Sequence, residues 1–300
     1  MAVTTGTIVK NDISTTAREI DFVTSFANDV QELMNVLGIV RPIEKAAGTD
    51  IKMKKVTGDL NTTVVAEGDE IPLTHYTVDE QSIGTLSFFK LRTRTTLEAI
   101  AEKGYANAVA AVDEEYKADL RNLVLGKLYT ALGNGSTTFT ETSFQKTVSM
   151  AIGYAKDKFK KMHKTATGMA VIVNTLDVYE YLGDASVSMQ TAFGFDYIQN
   201  FMGADVAIIT SEIEPGTVIA TPLNNLLLYY INPASSDFAR AGLNYTVDNI
   251  LGIIGYHVEG NYGRASSESF AVGGMVVAPE FADGIAVGTI GSQQVRPQQG

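Results

Sequence analysis

The chain has 300 residues, of which 45% are hydrophobic, and a formal net charge of −11. This length allows one large domain or two modest ones with a sizeable core, and the acidic balance argues against a nucleic-acid reader with a basic face. The absence of cysteine excludes disulfides, thiolate metal sites and cysteine nucleophiles, and it suits synthesis in a cytoplasm. No signal peptide and no apolar run of membrane-spanning length is visible.

Residues 1–14 show no hydrophobic period and predict an arm. Thr16 and Glu19 have capping-box spacing, and a helix is predicted from there to about Leu37, with Ile20 on its buried face. Two interpretations stay open: a helix packed on its own subunit, or an arm that docks on a neighbouring one.

Residues 50–94 predict a long two-stranded excursion. Ile51 and Met53 alternate with lysines as in a strand, and GTLSFFKLRTRTT, which begins at Gly84, predicts the return strand. The residues between hold little that could build a core, and loops this long are usually functional. Because a two-stranded hairpin is marginal alone in water, we expect it to lie on its own domain or on another molecule.

A long helix is predicted from Tyr105 to Leu132, because apolar residues recur there in steps of three and four. It would be roughly 40 Å long at 1.5 Å per residue, and Gly133 and its neighbours would end it. Leu123 lies in the middle of the apolar stripe and is expected to be buried.

The rest of the chain reads as a second helix over 142–164, then an α/β pattern, then a glycine-punctuated β region and a polar tail. The α/β elements are predicted at 169–173, 204–210, 217–220 and 226–231 for strands and 175–182 for a helix. The helix over 142–164 carries a lysine cluster, which we interpret as a solvated helix end near its favourable negative pole. Its members are Lys156, Lys158, Lys160, Lys161 and Lys164.

No catalytic or metal-binding motif is present. The chain has no G-x-S-x-G, no phosphate-binding loop motif and no H-E-x-x-H. The histidines, His75, His163 and His257, are far apart in sequence. We therefore predict no enzyme activity and no catalytic, cofactor-binding or metal site.

The order of parts resembles the major capsid (head) protein family of tailed bacteriophages. The resemblance is carried by LGIVRP after the first helix, VAEGDEIP in the excursion, TLSFFKLRTRTTLEAIAEKG, a long helix ending at GNGS, MAVIVNTLDVYEYL and a β-rich return. It implies an α+β phage-capsid fold with a spine helix, a peripheral domain, an axial α/β domain, an extended hairpin loop and an N-terminal arm. The implied division is 1–40 for the arm and helix, 41–140 for the extended loop (50–94) and spine helix, 141–240 for the axial domain, and 241–300 for the return strands of the peripheral domain and the tail.

The resemblance also implies a function and partners. The expected role is a structural subunit that assembles as hexamers and pentamers into an icosahedral shell around double-stranded DNA, without sequence-specific binding and without a membrane. It would be made in the bacterial host cytoplasm and reside in the virion. Because the arm begins close to Met1, we expect a separate scaffold protein or none; a portal and decoration proteins are further expected partners.

Five residues are candidates for inter-subunit contact. Glu67, Asp69 and Glu70 form the acidic tip of the excursion, which should meet basic residues of a neighbour, and Arg92 and Arg94 are the basic candidates. Some members of the family join subunits covalently through a loop lysine. The segment from Gly58 to Gln81 has no lysine, so we expect a shell held by non-covalent contacts.

Two alternatives remain at this stage. An encapsulin-type nanocompartment shell shares the implied fold and would hold enzyme cargo instead of a genome. An α/β enzyme with a lid over 57–82 is the other, and His75 is its best catalytic candidate; a pocket with perturbed titratable groups would support it.

Overall fold

The computed structural model describes residues 17–39, 42–58, 61–183, 189–234, 238, 240–248 and 251–291. The predicted arm over 1–14, the capping residue Thr16 and the tail after residue 291 lie outside the described residues.

Five α-helices and fifteen strands form the described part of the chain. In chain order they are α1 (Ala17–Val36), β1 (Ile43–Glu44), β2 (Asp50–Thr57), β3 (Thr77–Thr85), β4 (Phe89–Thr96), α2 (Leu97–Tyr105), α3 (Ala111–Gly133), β5 (Thr137–Glu141), α4 (Phe144–Lys161), β6 (Met169–Asn174), α5 (Thr175–Leu182), β7 (Gln190–Ala192), β8 (Phe195–Phe201), β9 (Ala204–Thr210), β10 (Thr217–Pro222), β11 (Leu226–Ile231), β12 (Thr246–Val247), β13 (Ile254–Asn261), β14 (Ser266–Pro279) and β15 (Ala286–Ile290).

The first sheet has six strands and is organised around β14. Residues 266–273 of β14 pair antiparallel with both β13 and β4, and residues 274–279 pair with β11. The short strands β12 and β1 add to β13 and β11. Helix α1 packs on β12 and β13, and α3 packs on β14. The core between them includes Phe22, Phe26 and Leu120, each buried, and each such side chain contributes about 1.5–3 kcal/mol of transfer free energy.

The second sheet has seven strands in the order β5-β15-β10-β6-β9-β8-β7. All six residues of β6 are buried, as expected for a strand covered on both faces, and β6 pairs parallel with β9 and antiparallel with β10. Helix α4 covers β10 and β15 through a stripe that includes Val148, Ile152 and Phe159. Five predicted elements, α4, α5, β6, β9 and β10, are thereby confirmed within a few residues of their predicted ends.

The predicted long helix is present but is not regular at its start. Gly104 has non-helical dihedral angles (φ 78°, ψ 159°), residues 106–110 form a π-helical turn, and α3 then continues to Gly133. A π-turn holds more residues than an α-turn, so a 3.6-residue period read through it loses its phase.

The predicted buried face of this helix is wrong in detail. Leu123 is 40% exposed and Val112 is similarly exposed, whereas Leu125 and Tyr129, at the other edge of the stripe, are buried in the main core. Leu125 and Tyr129 share this core with second-sheet residues such as Phe195 and Ile208, so the buried face extends toward Tyr129. A comparable correction applies to α1, where Ile20 is half-exposed.

The predicted return strand is also wrong. The partner of β2 is β3, in a two-stranded sheet running from the pair Asp50 and Thr85 to the pair Thr57 and Thr77. The segment from Phe89 is instead β4 of the first sheet. Strand β3 is exposed along almost its whole length, so it carries none of the apolar alternation by which strands are recognised.

The implied boundaries at 140 and 240 do not follow the sheets at two strands. Strand β11, placed before residue 240, pairs with β14 in the first sheet. Strand β15, placed after it, inserts between β5 and β10 of the second sheet. The chain thus passes between the sheets three times, from β4 to β5, from β10 to β11 and from β14 to β15, and strand pairing at long sequence separation leaves no local signal.

Candidate inter-subunit surfaces

The base of the β2–β3 hairpin is anchored in the subunit. Ile51 and Leu86 are buried in a small apolar cluster at the edge of the first sheet, and Met53 joins the main core. The backbone N–H of Lys54 donates to the carbonyl of Glu280 at 2.7 Å. The base is therefore held by buried side chains and a backbone hydrogen bond.

The outer loop of the hairpin has a different character. Residues 61–76 contain no helix or strand, yet Val64 is 95% exposed, Leu73 is 90% exposed and Ile71 is 75% exposed. Single exposed apolar residues are ordinary, but three within one loop form a patch of the kind that marks an interaction site. Among the described residues, this apolar surface has no intramolecular partner.

The loop nevertheless starts and ends in a defined way. Gly58 has φ 141°, and a Cβ there would lie 2.5 Å from the carbonyl oxygen of His75, so only glycine allows the two arms to approach. The side chain of Asn61 accepts from the backbone N–H of Thr63 at 3.1 Å, and the N–H of Asn61 donates to Thr74 Oγ1 at 3.3 Å. These contacts order the loop's stem.

The acidic contact candidates lie on this loop. Glu67, Asp69 and Glu70 are all exposed, and no lysine or arginine occurs between Gly58 and Gln81. The tip therefore combines negative charge with the apolar patch. The role of the three carboxylates as contacts to a neighbour remains a prediction.

The basic contact candidates form an intramolecular clamp. Arg92 and Arg94 lie on β4, and both guanidinium groups bind Glu268 of β14, with Arg92 Nε 3.1 Å from Oε2 and Arg94 Nε 2.7 Å from Oε1. The Glu268 side chain is 1% exposed, and the hydrogen bonds from the two arginines lower its pKa. About half of the Arg92 side chain still faces solvent. The contact of these arginines with a neighbour stays a prediction.

An apolar groove lies between the hairpin base and α3. Its volume is about 390 Å³, and Ile83, Leu123 and Val276 line it together with Lys127. Burial lowers the pKa of Lys127. The exposed Leu123 therefore faces a concave surface with a cationic group in it.

A further exposed surface lies on α5. Val178 is its buried residue, whereas Leu176 and Tyr179 are exposed. Tyrosine and leucine exposed on one short helix give an apolar surface with a polar rim, as is common at protein interfaces.

Two buried carboxylates tie α1 to the body of the subunit. Arg18 Nε lies 2.6 Å from Asp113 Oδ2, and Tyr256 donates to Asp113 Oδ1 at 2.9 Å. Glu19 is fully buried and accepts from the backbone N–H of Val258 at 2.6 Å. The carboxylate of Glu19 is thus held against β13, and its predicted capping-box contact with Thr16 lies outside the described residues. Because these groups are enclosed, we assign them to stability.

The lid interpretation gains no support from the position of His75. The residue is exposed in the loop, and its Nε2 lies 3.5 Å from Thr77 Oγ1. Within the described residues, no group of three or more histidine, aspartate or glutamate side chains could hold a metal ion. In the same part of the chain, no helix is both long enough and apolar enough to cross a bilayer.

Comparison with known structures establishes the fold. A chain of the bacteriophage PhiM1 mature capsid matches with a TM-score of 0.51 at 8% identity, covering 84% of this chain and 86% of that one. A virus-like particle from Pyrococcus furiosus matches with a TM-score of 0.49 at 11% identity, covering 91% and 99%. Mycobacterium phage Patience matches with a TM-score of 0.48 at 11% identity, covering 97% and 94%. No protein-family model and no curated protein matches the sequence.

The likeness to the PhiM1 chain shows a shared fold, and at such low identity it shows the fold alone. The predicted α+β class and phage-capsid fold are confirmed. Sequence reasoning did not name the exposed apolar residues of the loop, although Val64, Ile71 and Leu73 stand out as large side chains in a segment that cannot build a core.

Proposed function

We propose that the protein is the structural subunit of an icosahedral phage head, which self-assembles into the shell that encloses a double-stranded DNA genome. The observation that carries the proposal is the outer loop of the hairpin, because it exposes large apolar side chains that no described part of its own subunit covers. The fold shared with the PhiM1 mature capsid chain supports it.

The physical argument is that such a loop is stable only when another surface covers it. Burying Val64, Ile71 and Leu73 completely would contribute about 1.5–3 kcal/mol each. A symmetric shell repeats that contribution at every subunit, so modest contacts suffice to hold it together. A monomer would gain nothing from this exposure and would be prone to aggregate.

The proposal includes partners and a location. Hexamers and pentamers of the chain form the shell, with a separate scaffold protein, a portal and decoration proteins as further components. Synthesis takes place in the cytoplasm of a bacterial host, and the mature protein resides in the virion. The protein is not an enzyme: the support is the structural role of shell proteins with this fold and the exposed, solvated position of His75.

Negative-stain electron microscopy of the purified protein, together with light scattering, tests the proposal. We expect closed or ring-like particles, formed by the protein alone or with a scaffold. A monodisperse monomer at high concentration, with and without the neighbouring phage proteins, would refute it. The contents of particles isolated from cells distinguish the phage head from the nanocompartment alternative. A nanocompartment would hold an enzyme, whereas a phage head would hold nuclease-protected DNA.

A further inference from the structure

The end of α4 carries the most concentrated positive charge in the described chain. We call five lysines there the lysine face: Lys156, Lys158, Lys160, Lys161 and Lys164. A single carboxylate, Asp157, stands among them, although the chain as a whole has a net charge of −11. This charge lies on one helix end and is not spread over the molecule.

The lysines lie outside the buried side of α4. Ile152, Ala155 and Phe159 are the buried side chains of this part of α4, and they pack toward β10 and β15. Outside this buried side, Lys156, Lys160 and Lys161 are exposed and Lys158 is partly exposed. Lys161 is 69% exposed and pairs with Asp157 at 2.7 Å, so the one acidic residue neutralises one of the five charges.

The structure adds a sixth lysine that is distant in sequence. Lys164 Nζ lies 4.3 Å from the ring centroid of Phe281, and Lys54 of β2 forms a β-bridge with that same residue. Lys54 Nζ is 4.0 Å from Glu280, the outer limit of an ion pair. The lysine face therefore continues across Phe281 to the hairpin base.

These lysines are not required to end the helix. The last carbonyls of α4 already accept backbone N–H groups, with Met162 N donating to Lys158 O at 3.0 Å and Lys164 N donating to Phe159 O at 2.9 Å. A helix C-terminus carries only about half a negative charge, which one lysine offsets. The interpretation as an ordinary solvated helix end thus leaves most of the positive charge unexplained.

We propose that the lysine face is a docking surface for the phosphate backbone of duplex DNA; this rests on the proposed function. Protein interfaces deplete lysine and centre on apolar anchors, and no large apolar side chain of α4 is exposed. Duplex DNA presents about one charge per 1.7 Å of axis. The helical part of the lysine face, from Lys156 to Lys161, spans roughly 7.5 Å at 1.5 Å per residue, so more than one phosphate lies within its reach.

The contact is weak in each subunit and independent of base sequence. Three to four neutralised phosphates predict a slope of about −2.7 to −3.6 for the logarithm of the binding constant against that of the salt concentration. The rest of the chain is acidic, so it repels the DNA phosphates and opposes closer approach of the duplex. Many copies in one shell would then hold DNA loosely at its surface.

Fluorescence anisotropy of a labelled 30-base-pair duplex with the intact, unassembled subunit tests this. The face variant is K156Q/K158Q/K160Q/K161Q, and the matched control is K45Q/K55Q/K90Q/K103Q, which removes the same charge from exposed lysines elsewhere. We expect the face variant to lose at least ~10-fold in affinity at 50 mM salt and most of the salt slope. The control should keep both to within about threefold. Lysine-to-arginine replacement at the four face positions should preserve binding.

Three outcomes would overturn the inference. The first is equal DNA binding by the face and control variants, with circular dichroism showing both folded. The second is loss of binding in the arginine variant although it is folded, because a phosphate surface requires only the charge. The third is tighter binding of poly-glutamate than of duplex per unit charge, which would identify an acidic protein as the partner. Microscopy of the same samples keeps the two proposals apart: shells without lysine-dependent DNA binding refute this inference alone, and lysine-dependent binding without shells refutes the shell proposal alone.

Discussion

The second sheet and the β2–β3 hairpin show two ways for strands to be stabilised. In β6 every residue is buried between neighbouring strands and helices, whereas in β3 only Ile83 is even partly buried. The sheet is complete within one chain. The hairpin is anchored at its base and otherwise exposes its side chains, so its outer part gains stability only through another molecule. The difference separates what folds the subunit from what assembles it.

The largest expected effect comes from removing the outer part of the hairpin. Deleting residues 59–79 should abolish assembly while the subunit stays folded, because none of the described residues among them, 61–79, belongs to an apolar core cluster. Circular dichroism would report the fold and light scattering the assembly. Loss of the folded state would show that the hairpin belongs to the folding unit and would break the comparison.

A milder form of the same test keeps the loop in place. Replacing Val64, Ile71 and Leu73 with serine should leave the Tm of the unassembled subunit unchanged and still prevent assembly. Serine replacement of the half-exposed Ile20 on α1, outside the loop, serves as the control and should leave assembly intact.

Helix α3 allows buried and exposed side chains to be compared within one element. One of its sides faces the core, and the other faces the groove under the hairpin. Leu120 is fully buried and Leu123 is 40% exposed. Leu120→Ala should therefore cost about 2–5 kcal/mol of unfolding free energy, and Leu123→Ala clearly less. Urea denaturation of the unassembled variants measures both values, and equal losses would show that the assigned helix phase is wrong.

The clamp on Glu268 predicts a pH dependence in the first sheet. Because Arg92 and Arg94 lower the pKa of this carboxyl in the folded state, its stabilising contribution is present above the unfolded-state pKa and is lost as pH falls through the folded-state pKa. Glu268→Gln should lower Tm at pH 7, and the difference from the unaltered protein should shrink as the solution is acidified below about pH 4. A difference that stays constant down to pH 2 would contradict the clamp.

A smaller effect is expected at the acidic tip. Glu70→Gln removes one exposed charge, and each such contact is worth about 1 kcal/mol or less. Assembly should shift to a higher critical concentration, and the shift should vanish in high salt because exposed charges are screened. Light scattering across a salt series measures it. Glu98→Gln, an exposed residue of α2, is the control.

Assembled particles are expected to contain no covalently linked subunits, and denaturing them under conditions that preserve covalent bonds tests this. The loop tip contains no lysine that could form an inter-subunit bond. Particles boiled in detergent should therefore run as one band near 32.2 kDa. A ladder of multimers that survives reductant would show covalent contacts outside the hairpin tip.

Two kinds of element could be predicted from the sequence: strands that are buried on both faces, and helices that bury one regular apolar face. Strands β6 and β9 were found because continuous apolar runs mark buried strands, and α4 and α5 because their periods are regular. Strand β3 was missed because its stabilising contacts are not in the core, and Leu123 was misplaced because packing against two sheets, not the stripe itself, sets the buried face. The lysine face was visible as a run of charge, but its continuation to Lys54 depends on Phe281, more than a hundred residues further along the chain.

The central position of β14 also sets an order of events during synthesis. Strand β4 ends at Thr96, but β14, its partner, is complete only at Pro279, roughly 180 residues later. At about 5–20 residues per second, that interval is on the order of 10–40 s. During this time α1, β4 and α3 have left the ribosome without the strand that closes their core. A nascent chain therefore exposes part of the apolar core of the first sheet until translation is nearly over, and such transiently exposed surface promotes unwanted association.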